Sequence, residues 1–270
     1  MRPEEISKVV QEVVERVVRR LEDTGHGPLP IAADERMFGE RRARLKQAVA
    51  EGACRLTPQA ISLDQCSDYA SMIEVALLRP DAREADIRAL CRDAIERGFV
   101  SVCVGLDWVE MAASLVKGSP VRVSVPVGFP TGGISTEFKA AEVRRAVVLG
   151  ADEVDVVVNI GRLRAADYRA VVEDLQAVCR AAQGRPVKAV IEVADLTREQ
   201  KVAAAILAKS AGAQLAKSST GFGPDGVTIG DVALLRSALT GDASRAGTAK
   251  PEWSARVGAV VCLETGMGQK

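Results

Sequence analysis

The sequence predicts a parallel α/β fold of the barrel type. From about residue 71 onward, short valine-rich runs alternate with helical segments; strand–helix alternation with buried β-branched strands is the pattern of a parallel sheet covered by helices. No glycine-rich dinucleotide turn follows the first of these strands, which weighs against the doubly wound alternative. The length, 270 residues, suits one barrel with an extension.

The elements follow in order. Residues 4–22 carry Ile6, Val9, Val10, Val13, Val14, Val17, Val18 and Leu21 at three- and four-residue steps, one apolar stripe of a helix. Pro3 suits its first turn, Glu4 and Glu5 its start, and Arg19 and Arg20 its end. Valine is a mediocre helix former, so this helix needs a surface to bury its stripe. Two glycines and two prolines between Thr24 and Pro30 read as a linker. A second helical stretch covers about 34–52. The strand-like runs are then SMIEVALL, FVSVCVG, VRVSVPVG, EVDVVVNI, PVKAVIEV and AQLAKSS, with helices expected at 84–97, 107–117, 136–149, 165–182 and 198–211. Gly98, Gly150, Gly184 and Gly212 stand just past helix ends, where glycine terminates a helix. A helix at 228–239 and two weak strands near 245–250 and 256–263 complete the reading.

Composition narrows the function. Thirty-six basic residues balance 36 acidic ones and aromatics make up 3%, so no general nucleic-acid surface or stacking platform is expected. No apolar run is long enough for a membrane span, and the N-terminus lacks a secretory pattern. The six cysteines form no CxxC pair and read as reduced thiols of a cytoplasmic protein. His26, the only histidine, lies in the Gly/Pro-rich stretch, which leaves zinc-histidine and Ser-His-Asp chemistry without a core histidine. Lysines and carboxylates must then carry any proton transfer.

In a parallel barrel, reacting groups stand at the C-terminal ends of strands. Three lysines occupy strand positions: Lys217 late in AQLAKSS, Lys188 early in PVKAVIEV, and Lys250 at the end of a seventh strand. Asp155 lies among the valines of EVDVVVNI. A buried acid and several strand lysines suggest one converging polar site. Imine formation needs a neutral amine, so burial and a second nearby cation are expected to lower the pKa of the reacting lysine.

Six pieces of the chain, in order, carry a specific resemblance: ALLRPDA, FVSVCV, VGFPTG with TEFKAAE, GADEVDVVVNIG, PVKAVIE and LAKSSTGFGP. Over residues 76–240 the chain resembles the deoxyribose-phosphate aldolases. The resemblance implies a (β/α)8 TIM-type barrel with no metal and no cofactor, and a class I aldolase that reversibly joins acetaldehyde to glyceraldehyde 3-phosphate through a lysine Schiff base, giving 2-deoxyribose 5-phosphate. It implies Lys217 as the Schiff-base lysine, Asp155 as the proton relay and Lys250 as the second lysine. Glu74, Lys188, Thr220 and Gly221 are expected to bind substrate, and the protein is expected to be a homo-oligomer.

The chain also departs from that pattern. Glu252 and Trp253 stand where two glycines would follow the second lysine, and the final Gly/Ser phosphate loop is missing from CLETGMGQK. Glu74 replaces an aspartate. The divergence after about Thr240 reads as an atypical, truncated or frameshifted end. Two alternatives follow: a catalytically impaired barrel acting as cargo or scaffold, and a Schiff-base aldolase for unphosphorylated aldehydes. The N-terminal helix and linker resemble the encapsulation peptides of enzymes packed in bacterial microcompartments, which implies a shell protein as partner of residues 4–22 and a location inside such a compartment; a helix packed over the barrel is the alternative. The expected division is 1–23 for the helix, 24–33 for the linker and 34–270 for the barrel.

Overall fold

The computed structural model describes residues 70–71, 73–223 and 227–240, together with residue 15. Apart from Glu15, the N-terminal helix lies outside the described residues, as do the linker, the stretch at 34–52, Lys250 and the two weak strands after Thr240.

The described chain alternates strand and helix: β1 Glu74–Leu77, α1 Glu84–Arg97, β2 Ser101–Val104, α2 Val109–Val116, β3 Arg122–Val127, α3 Thr136–Val148, β4 Glu153–Val157, α4 Ile160–Arg164, α5 Tyr168–Ala181, β5 Val187–Val190, α6 Arg198–Ala211, β6 Leu215–Lys217 and α7 Ile229–Thr240. All six strands are parallel and adjacent in chain order, β1-β2-β3-β4-β5-β6. The sheet curls: the side chain of Lys217 on β6 reaches Glu74 on β1 at 3.0 Å, across its concave side. This is an α/β barrel-type fold.

Alternation along each strand sorts the side chains. Val75, Val102, Val104, Val123, Val125, Val154, Val156 and Ala189 pack into one apolar core with Ile87 and Leu90 of α1, Val143 of α3, Leu175 and Val178 of α5 and Val202 of α6. The intervening positions carry Glu74, Ser101, Cys103, Ser124, Glu153, Asp155, Lys188 and Lys217. The strand register runs these polar positions across the sheet, with Glu74 opposite Ser101, Cys103 opposite Ser124, Ser124 opposite Glu153 and Asp155 opposite Lys188.

Local chemistry sets the boundaries. Helix α6 begins with a capping box: Gln200 N–H donates to the Thr197 hydroxyl at 3.3 Å, and Thr197 N–H donates to the Gln200 side chain at 3.0 Å. It ends at Gly212, whose φ of +100° lets its N–H turn back to Lys209. The helix expected at 165–182 runs from Tyr168 to Ala181, and a short helix not expected from the sequence, α4, precedes it. Ala166 sits at φ +56° and breaks the run, and the Asp167 carboxylate accepts from Ala170 N–H to start α5.

A second buried polar cluster lies between α3, α5 and β4. Lys139 is fully buried; its Nζ donates to Asp174 Oδ2 at 2.6 Å and to the Val157 carbonyl at 2.9 Å, while the Thr136 hydroxyl donates to Asp174 Oδ1 at 2.9 Å. Its stem passes under the loop after β3, where a Cβ on Gly128 would come within 2.8 Å of Lys139 Cε. Glu142 accepts from Gly128 N–H at 2.9 Å. In the same loop Gly132, at φ +68°, presses so close to β4 that a Cβ would meet the Val158 carbonyl oxygen at 2.1 Å.

Candidate active site

Lys217 is the last residue of β6 and is 7% exposed; Asp155, in β4, is 1% exposed. Lys217 Nζ donates to Asp155 Oδ2 at 2.6 Å and to Glu74 Oε1 at 3.0 Å. Lys188 Nζ sits in the same cluster, bonded to Glu74 Oε2, 2.8 Å from Glu153 Oε2, 3.0 Å from Asp155 Oδ1 and 3.1 Å from the Ser124 hydroxyl. Ser124 donates to Asp155 Oδ1 at 2.8 Å, and Ser101 to Glu74 Oε2 at 2.7 Å. Arg122, at the cluster's edge, pairs with Glu153 Oε1. Strands β1 to β6 all contribute, since Cys103 of β2 lies against the two acids.

Three carboxylates thus meet two ammonium groups and one guanidinium. Burial opposes the charge on Lys217, but Asp155, Cys103 and Glu74 outweigh it and hold the pKa above the ordinary lysine value. Lys188 behaves alike: burial lowers its pKa, and Asp155, Glu74 and Glu153 raise it well above that value. Burial likewise opposes the Asp155 charge, yet Lys188, Lys217 and the bonds from Lys217 and Ser124 pull its pKa far below the usual carboxylate range. The expected lowering of the lysine pKa is therefore reversed in the resting site. The second cation is present, but it brings its own carboxylates, and two acids bond Lys217 directly.

The expected residues divide into three groups. Lys217, Asp155, Glu74 and Lys188 converge. Thr220 and Gly221 follow in the loop after β6, outside that network. Thr220 donates both its N–H (2.9 Å) and its hydroxyl (2.5 Å) to Glu192 Oε2, and the hydroxyl also accepts from Phe222 N–H at 3.1 Å. Lys250 lies outside the described residues. Ser101, Cys103, Ser124, Glu153 and Glu192 were not anticipated. For the first four a signal existed: each alternates with a buried valine, the period-two pattern that turns one face of a barrel strand inward.

Glu74, Cys103 and Asp155 bring one donor atom each within 4.8 Å of one another. Both carboxylates are already engaged by ammonium groups, so the set is arranged for proton exchange between amine and acid. Over the C-terminal edge of the sheet, Phe129 from the loop after β3 meets Phe222 from the loop after β6, ring edge to ring face, with centroids 5.1 Å apart.

A barrel-type fold with a buried lysine and carboxylates converging from its strands is the site of an amine-and-acid enzyme. The comparisons agree. The family model described as DeoC/LacD family aldolase matches residues 71–249. A deoxyribose-phosphate aldolase of Clostridium perfringens is 47% identical over 174 residues, which span 64% of this chain and 78% of that one. One from Streptococcus sanguinis is 45% identical over 170 residues, 63% of this chain and 77% of the relative. Among solved structures, a tetrameric deoxyribose phosphate aldolase from Aeropyrum pernix superimposes with a TM-score of 0.61 at 28% identity, covering 66% of this chain and 76% of that one. The chain belongs to the DeoC/LacD family of aldolases.

Proposed function

We propose that the protein is a class I aldolase that reversibly joins acetaldehyde to glyceraldehyde 3-phosphate, giving 2-deoxyribose 5-phosphate, through an imine on Lys217. The observation that carries this reading is the Lys217–Asp155 pair at 2.6 Å, buried at the C-terminal end of β6. An amine attacks only when neutral. One proton passes from Nζ to Asp155 Oδ2; the freed lone pair forms the C–N bond as the carbonyl oxygen takes up a proton from the acid. Loss of water from the carbinolamine leaves the imine. A carboxylate at the same place then removes a proton from the adjacent methyl carbon, and the enamine carbon attacks the second aldehyde. Hydrolysis of the new imine returns the free lysine.

Borohydride reduction in the presence of acetaldehyde tests this. A two-carbon adduct should map to Lys217. Labelling of Lys188 or Lys250 alone, or of no lysine, refutes the assignment. The sequence departures after Thr240 favour a second reading in which the acceptor is unphosphorylated. Rates with glyceraldehyde and with its 3-phosphate separate the two, since a preference for the ester of about a thousandfold, roughly 4 kcal/mol, requires a phosphate cradle.

Lys250 is assigned as an assisting lysine; Lys250→Met should slow turnover. The homologous tetramer supports a homo-oligomer. Residues 4–22 are assigned as a docking helix for a microcompartment shell protein. A fusion of residues 1–30 to an inert reporter should co-purify with shell proteins and lose this on changing Val13 and Val17 to Asp. Among the described residues no helix is long and apolar enough to cross a membrane.

A further inference from the structure

The two carboxylates on Lys217 are not equivalent. Asp155 is the closer, at 2.6 Å, and is also held by Ser124 and Lys188. Glu74 comes from β1, at the other end of the strand order. Its Oε2 is taken by Ser101 and Lys188, and its Oε1 bonds Lys217 at 3.0 Å. When a proton passes to Asp155, the neutral amine keeps its lone pair turned toward the acid it has just charged with hydrogen. A remaining N–H stays on Glu74. The amine is tethered at two points, and turning its lone pair toward a carbonyl requires rotation about Cε–Nζ.

We propose that Glu74 is a clasp on the resting lysine: it holds the ammonium form of Lys217 and must release the N–H before the amine can attack. This rests on the reading of Lys217 as the imine-forming residue. The groups facing Lys217 are Glu74 on β1, Cys103 on β2, Asp155 on β4 and Lys188 on β5; Glu153 and Arg122 lie one contact further out. Of these, Asp155 receives the proton, Lys188 favours its loss, and the Cys103 thiol is pushed by burial, and then by Glu74, toward staying protonated. Glu74, bonded to Lys217 through Oε1 and to Lys188 and Ser101 through Oε2, is left as the carboxylate that holds the ammonium N–H. Its removal leaves Lys188 bonded to Glu153, Asp155 and Ser124, so the rest of the network keeps its partners. A side chain one methylene shorter cannot bridge Lys188 and Lys217 at once, so Glu74→Asp loosens the clasp and Glu74→Gln neutralises it.

The test is the pH profile of imine formation in the full-length protein, read as the rate of acetaldehyde adduct formation on Lys217 with sodium cyanoborohydride. With Glu74→Gln, half-maximal trapping moves to lower pH, and trapping near neutral pH quickens about tenfold, the low end of what one close opposite charge does to a proton equilibrium. Glu74→Asp shifts the profile in the same direction by less. Near-ultraviolet circular dichroism establishes that each variant is folded. Folded variants whose profile is unchanged, or moves to higher pH, overturn the proposal, and failure of both variants to fold makes Glu74 a core residue and overturns it too. Absence of any Lys217 adduct in the unmodified protein at every pH overturns the aldolase reading itself, whereas normal trapping there with unshifted variants removes only the clasp.

Discussion

Replacing Asp155 by Asn keeps the shape of the side chain and removes its charge. In the folded protein Asp155 accepts from Lys217 at 2.6 Å and Ser124 at 2.8 Å and lies 3.0 Å from Lys188. The substitution leaves two buried ammonium groups to Glu74 and Glu153 and turns an amide N–H toward one of the donors. Breaking a buried pair by removing one partner costs about 3–5 kcal/mol, and the remaining acids put the loss at the low end, about 3 kcal/mol. For a domain of this size that lowers Tm by about 6–12 °C. The sign of the pH dependence follows from the depressed pKa: the Asp155 charge stabilises the fold above the unfolded value of 3.8 and is lost as pH falls toward the folded one. Thermal melts of the wild type should therefore decline more steeply below about pH 4 than those of the variant. Turnover of the aldol substrate should drop by about 10²- to 10⁴-fold, the range for a general acid–base group. Circular dichroism melts and a coupled aldehyde assay measure both quantities. A variant that melts within about 1 °C of the wild type and retains more than a tenth of its turnover shows that the short Lys217–Asp155 bond carries neither stability nor proton transfer.

Lys139→Met should destabilise by about 3–5 kcal/mol because it strands the buried Asp174, and adding Asp174→Leu should recover much of that loss; a double variant no better than the single refutes the pairing. Gly132→Ala should cost at least about 2 kcal/mol, from the positive φ and the collision with the Val158 carbonyl, as read by urea unfolding. The Cys91 and Cys179 thiols are pushed up to about 11 by burial. Their neutral forms stabilise the fold below the unfolded value of 9.0, so Tm should fall as pH rises from there toward 11. Iodoacetamide at pH about 8 should modify Cys91 at least about a hundredfold more slowly than in the unfolded chain, as quantified by peptide mapping.

Much of this was written locally. Helices at 84–97 and 198–211 were legible because the glycines at 98 and 212 mark their ends. Lys217 and Asp155 were legible as charged residues among apolar strand neighbours. The short helix at 160–164 was not legible because Ile160 closes the valine run EVDVVVNI and reads as strand, and the helix expected from 165 starts at 168 because Asp167 caps it and Ala166 adopts a left-handed conformation that its side chain does not favour. The inward set Ser101, Ser124 and Glu153 has a period-two spacing in the sequence, but small or charged residues at such spacing also suit an exposed strand face. The direction of the lysine shift was missed for a deeper reason. Counting acids against bases around Lys217 requires knowing that β1 reaches β6, and that contact has no local signature.

The bond between Glu74 and Lys217 spans 143 positions of the chain, and it lies in the reactive centre. The bond to Asp155, the acid that takes the proton, spans only 62 positions and needs β4 and β6 but not β1, so the amine and its acid can meet before Glu74 arrives. Loop-closure entropy makes so distant a contact as that with Glu74 slow to form, and the move of acetaldehyde trapping at Lys217 to higher pH during refolding is accordingly a clock for the curling of the sheet rather than for the growth of its helices.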